Sequence, residues 1–173
     1  MKTITILLTR YPDLLSGLVS MISRSEYSHI SISLGNNPET FFSFNFKGLA
    51  IEKSGIIESR KHWSRRLYIR VQVTEEMYRN LYKELMVFTG MQKYYKYSFA
   101  GVILCILHIP HKFHNRYFCS QFVAELLVKA GILNLKKQAS LYLPGELAGE
   151  FMSCFPCGEF FQEKLPGCVP IFI

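Results

Sequence analysis

The feature that most constrains the fold is the strict alternation across residues 28–34, where Ile30, Ile32 and Leu34 fall on one side and His29, Ser31 and Ser33 on the other. A period of two is that of an extended strand with one apolar face. The segment Gly35-Asn36-Asn37-Pro38 that follows is rich in turn formers, and residues 40–46 (Thr-Phe-Phe-Ser-Phe-Asn-Phe) supply a second strand. The pattern predicts an antiparallel hairpin. Two strands with an apolar face need something apolar laid across them, so the rest of the chain must provide further strands and helices.

Those elements are present. Residues 3–8 read as a strand, residues 67–73 alternate again, and Pro12 opens a helical spacing through Leu14, Leu15, Leu18, Val19 and Ile22. Thr74 is suited to cap a helix running to about Phe88, with Glu75 and Glu76 placed favourably against the helix dipole. Residues 98–107 predict another helix. An apolar stripe of Phe122, Val123, Leu126, Leu127 and Ala130, ended by Gly131, predicts a fourth that holds Cys119 in its first turn. Residues 48–66 read as a loop with room for one short edge strand. The chain from about residue 149 reads as an irregular tail, with one further strand over residues 159–165. No repeat or linker divides the 173 residues, so a single α+β domain spanning 1–173 is expected.

Composition narrows the chemistry. Twenty Lys and Arg against 13 acids give a net charge of +7, yet Asp13 is the only aspartate. That excludes the clustered aspartates of magnesium-dependent phosphoryl-transfer sites. No glycine-rich nucleotide-binding motif occurs. The N-terminal apolar run is too short for a secretory signal, so a cytoplasmic protein with largely reduced cysteines is expected. Of the five (Cys105, Cys119, Cys154, Cys157, Cys168), Cys119 has the position that favours reactivity, because free N–H groups at a helix start stabilise a thiolate and a neighbouring oxyanion. A base is needed beside it. His29, on a strand face whose Ser31 and Ser33 would admit a closely packed helix, is the candidate.

Tyr27-Ser28-His29-Ile30-Ser31-Ile32-Ser33-Leu34-Gly35, the second strand at residues 41–46, and Tyr117-Phe118-Cys119-Ser120-Gln121-Phe122-Val123 together resemble the circularly permuted NlpC/P60 superfamily of papain-like cysteine hydrolases. In that group the histidine strand precedes the cysteine helix, and the resemblance runs from about residue 3 to 148. It implies a papain-like core in which an antiparallel sheet packs against the cysteine-bearing helix. It further implies Cys119 as nucleophile, His29 as base, and a polar residue on the following strand to orient the imidazole. Ser43 stands at that position, with Glu39, Asn45 and Glu58 as alternatives. The implied substrates are peptides, other amides, thioesters or lipid esters, handled without a cofactor or metal.

Other motifs have plainer readings. Cys154 and Cys157 have the spacing of half a zinc site, but no second pair exists, and a structural role is expected. His108, His111 and His114 flank Pro110 and read as a basic loop. The run from Arg60 to Arg66 around Trp63 reads as a solvated loop or as a grip for an anionic partner such as a membrane surface. Nucleic acid is a poor fit, and the oligomeric state is not legible.

Overall fold

The computed structural model describes residues 1–10, 17, 19, 21, 22, 24–35, 38–54, 66–163, 169 and 170, and beyond residue 160 it describes backbone alone. The protein is α+β. Its main sheet has seven strands in the order β4-β3-β2-β1-β5-β8-β9. They are β1 (Lys2–Thr9), β2 (His29–Leu34), β3 (Thr40–Asn45), β4 (Gly48–Lys53), β5 (Arg66–Val73), β8 (Glu159–Glu163) and β9 (Val169–Pro170). Every neighbouring pair is antiparallel. A separate parallel pair joins β6 (Lys96–Tyr97) to β7 (Arg116–Tyr117).

The alternation seen in β2 decides which side of the sheet the helices cover. Ile4, Ile6 and Leu8 of β1, Ile30 and Ile32 of β2, Phe44 of β3, and Ile69, Val71 and Val73 of β5 form one apolar face. Against it pack α1 (Glu75–Gly90) through Leu81, Leu85 and Phe88, and α3 (Cys119–Lys129) through Phe122, Val123, Leu126 and Leu127. The fourth helix, α4 (Pro144–Cys154), adds Leu147, Ala148 and Phe151. Phe122 is fully buried, with its ring 5.0 Å from those of both Phe44 and Phe88. Burying a side chain of this size contributes about 2–3 kcal/mol. The remaining helix, α2 (Phe99–Ile106), packs through Val102 and Cys105 on Val19, Phe118 and Leu143.

Capping follows the local sequence. The Thr74 hydroxyl accepts the Met77 N–H at 3.1 Å, Ser98 accepts the Gly101 N–H at 3.1 Å, and the Glu146 carboxylate accepts the Leu143 N–H at 3.0 Å. Each satisfies a donor that the helix start leaves open.

One expectation is met and two are corrected. The short edge strand allowed for within residues 48–66 is β4 at the edge of the sheet, and it begins at once at Gly48, which at φ +102° closes the turn while Leu49 and Ala50 are buried beside β3. Residues 55–65, including Glu58, lie outside the described residues. The tail expected to be irregular from about residue 149 instead opens with the last turn and a half of α4, while the strand expected over residues 159–165 is present as β8 and is followed by β9. Finally, the cysteine helix lies on the Ile30 and Ile32 side of β2 rather than against Ser31 and Ser33. An apolar stripe on α3 gains more from the isoleucines than from hydroxyls.

Candidate active site

Cys119 is the first residue of α3, after Phe118 in extended conformation as N-cap. Only 7% of Cys119 is exposed. Removal from water is the largest influence on its thiol and pushes it up to about 11. Hydrogen bonds pull the other way, from the backbone N–H groups of Ile30, Ser120 and Cys119 itself. These favour negative charge at the sulfur but do not outweigh burial. At neutral pH the resting group is a thiol.

The N–H of Ile30 brings the sulfur to β2, one residue beyond His29. Pairing between β2 and β3 is registered at Ile32 and Phe42 alone. At Ile30, side chains serve both backbone groups: the N–H meets the Cys119 sulfur, and the carbonyl accepts the Ser43 hydroxyl at 2.6 Å. The Ile30 peptide therefore links Cys119 to Ser43 through two hydrogen bonds. Ser43 is 1% exposed, and its proton is committed to that carbonyl. It acts on the site by fixing the strand.

His29 is 5% exposed and opens β2. By strand alternation it belongs to the Ser31 and Ser33 side of the backbone. Ser31 donates to the Leu7 carbonyl at 3.4 Å and Ser33 to the Thr40 carbonyl, so both serines tie neighbouring strands together. Glu39 is exposed beyond the far end of β2, beside Ser33, Leu34, Thr40 and Phe42, at a shallow pocket of about 320 Å³. A strand of six residues separates it from His29 by on the order of 15 Å. Asn45 is half-buried, and its Oδ1 accepts the Lys47 N–H at 2.9 Å. The structure thus gathers Cys119, the His29–Ile30 backbone and Ser43, and leaves Glu39 out.

Register across the sheet reveals residues that sequence reasoning missed. Thr9 stands opposite both His29 and Arg66, giving a row His29, Thr9, Arg66 over three strands, all of them buried. The basic run from Arg60 to Arg66 reads as a solvated loop or an anion grip, yet its last residue, Arg66, is only 7% exposed and belongs to β5. A buried guanidinium thus stands across β1 from His29, at the same end of the sheet. On the helix side, the Ser120 hydroxyl donates to the Tyr142 carbonyl at 2.6 Å, which anchors the start of α3 to the segment before α4. The signal for both lay in pairing between distant segments.

The remaining candidates sit apart. Cys105 is buried in α2, its thiol pushed up to about 12 chiefly by desolvation. Cys154 and Cys157 are exposed free thiols, and Cys168 lies outside the described residues. Among the described residues no group of three or more His, Cys, Asp or Glu is placed to hold a metal ion. His108, His111 and His114 are exposed.

No protein-family model matches the chain, and a search of curated proteins finds no matching relative.

Proposed function

We propose that this protein is a cysteine hydrolase or acyltransferase with a permuted NlpC/P60-like, papain-like core, acting in the cytoplasm through Cys119 and His29. The observation that carries the reading is the sulfur of Cys119, at the start of α3, receiving N–H groups from the helix and from Ile30, the residue that follows His29; the imidazole leaves β2 on the side opposite α3 and would have to reach the sulfur around the open end of the strand. Because the resting group is a thiol, His29 works as general base during attack rather than as the partner of a standing ion pair. The thiol proton passes to the imidazole as Sγ bonds to the substrate carbonyl carbon. The oxyanion that forms is stabilised by N–H groups at the helix start. Expulsion of the leaving group takes that proton, leaving a thioester on Cys119. Water or an acceptor, deprotonated by His29, then releases the acyl group. Ser43 holds the Ile30 peptide against which the sulfur is set. The substrates that fit this chemistry are peptides, other amides, thioesters and lipid esters.

The test is to incubate the protein with p-nitrophenyl acetate and map the acetyl group by mass spectrometry. One acetyl on Cys119 is expected in the native protein, with none on Cys119 in His29→Ala. Acetylation confined to the exposed Cys154 and Cys157, or Cys119 acetylation indifferent to His29, would overturn the reading.

The raised Cys119 thiol also favours a second reading, a catalytically silent module that keeps the fold and binds an anionic partner. It predicts salt-sensitive binding that survives Cys119→Ala and weakens in Arg65→Ala. Arg66, being buried, would not take part directly.

A further inference from the structure

The helix α2 is apolar all round, whereas only one side of it is covered. Val102 and Cys105 face the core, but Phe99, Ile103 and Leu107 recur every four residues along the outer side and are 53%, 53% and 60% exposed. A helix with apolar residues on every side is normally enclosed. Among the described residues nothing encloses this side.

The exposed stripe continues into a prebuilt aromatic platform. Phe46, from the turn between β3 and β4, lies flat on Phe99 with centroids 5.1 Å apart and planes within 7°. Tyr97 meets both edge-on, at 5.2 and 4.9 Å. The turn is seated firmly, because a Cβ at Gly48 would come within 2.8 Å of the Tyr95 carbonyl oxygen. Four side chains about half exposed, Phe46, Phe99, Ile103 and Leu107, each with on the order of 200 Å² of surface, place roughly 400 Å² of apolar area on one side, with Tyr97 partly buried among them.

Charge identifies what fits there. Between Glu84 and Glu125 the sequence has no acidic residue, while Lys93, Lys96, Lys112 and Arg116 fall within that stretch. Lys112 is paired with Glu125 at 2.6 Å. Lys93, Lys96 and Arg116, together with Lys47 beside Phe46, are exposed. A second copy of the chain meeting this face through a twofold axis would set lysines against lysines. An anionic bilayer instead offers hydrocarbon to the apolar stripe and headgroup charge to its cationic surroundings. Eight residues of helix span about 12 Å, far short of a bilayer core, so α2 would lie in the interface plane.

We propose that the outer face of α2, with Phe46 and Tyr97, seats this protein on an anionic phospholipid membrane. The inference stands apart from the Cys119 reading, although it bears on it: a Cβ at Gly101 of α2 would lie 3.2 Å from the Phe118 ring, adjacent to Cys119, so docking would hold the start of α3 near the membrane surface.

Flotation of the full chain with vesicles of phosphatidylcholine containing one-third phosphatidylserine tests it. The native protein and Cys119→Ala should float alike, and less on pure phosphatidylcholine. The triple variant Phe99→Ser, Ile103→Ser, Leu107→Ser should lose about tenfold or more of the bound fraction. Lys93→Glu with Lys96→Glu should lose binding most strongly at low salt. Phe46→Ser, in a turn outside α2, repeats the test without touching the helix, and Tyr82→Ser on α1 should float like the native protein. Failure of the native protein to float, flotation unchanged in both the triple and Phe46 variants, or sedimentation showing a dimer that these substitutions dissociate would each overturn the proposal.

Discussion

Replacing Ser43 with alanine removes one hydroxyl at the point where the sheet meets the cysteine helix. The hydroxyl is buried and donates to the Ile30 carbonyl at 2.6 Å. Backbone pairing between β2 and β3 is registered at Ile32 and Phe42, so alanine would leave the Ile30 carbonyl without its side-chain donor in a nearly dry position. A buried acceptor deprived of its donor costs about 1–3 kcal/mol. For a chain of this size that corresponds to a melting temperature lower by roughly 3–9 °C. Urea unfolding should show the midpoint falling with an unchanged slope, since the surface exposed on unfolding hardly changes. The second consequence is chemical. The Ile30 N–H reaches the Cys119 sulfur, so freedom gained at that peptide should slow acetylation of Cys119 several-fold. If the midpoint moved by less than the equivalent of about 0.5 kcal/mol and acetylation were unaffected, the idea that Ser43 fixes this peptide would be wrong.

Two glycines in helices should respond with opposite signs. A Cβ at Gly101 would lie 2.7 Å from the Ser98 Oγ and 3.2 Å from the Phe118 ring, so Gly101→Ala should destabilise by about 1–3 kcal/mol in urea unfolding. Gly149 has nothing within 4 Å of such an atom, so Gly149→Ala should stabilise by about 0.5–1 kcal/mol. The Cys119 thiol, raised in the folded protein from 9.0 to about 11, contributes stability that is full below pH 9 and is lost as pH climbs toward 11. Unfolding curves at pH 8 and pH 11 should therefore converge between native and Cys119→Ala by roughly 2–3 kcal/mol, and a constant difference would refute the shift. Tyr142 is pushed up to about 12 first by burial and then by the hydrogen bond its hydroxyl donates to Glu150, so Glu150→Gln should lower phenol ionisation only in part, read from ultraviolet absorbance.

Much of the architecture was legible because single residues and short periods dictate it. Alternation in residues 28–34 specified a strand with one apolar face, Thr74 specified a helix start, and the spacing of Phe122, Val123, Leu126 and Leu127 specified the buried stripe of the cysteine helix. What escaped depends on partners far away in the chain. The pair β6 and β7 is only two residues long on each side and exists because residues 96–97 and 116–117 meet. The continuation of α4 to Cys154 falls in the segment that reads as an irregular tail, although Phe151 is fully buried and holds the helix down. At the site, Cys119 at the head of α3 could be read locally, whereas the row His29, Thr9 and Arg66 needs the register of three strands separated by 20 and 57 residues. The side on which α3 packs was misjudged for a physical reason: small hydroxyl residues permit close approach, but the isoleucines supply the favourable burial.

The central claim is that Cys119 and His29 act together on an acyl group. The most direct measurement is the rate of acyl transfer from a reactive thioester for the native protein, Cys119→Ala, His29→Ala and the double variant, with folding verified by melting. Residues that act as one unit lose their effect together, so each single variant should fall to the same floor and the double variant should fall no further. Multiplying, independent losses, or a rate in Cys119→Ala equal to that of the native protein, would contradict the account.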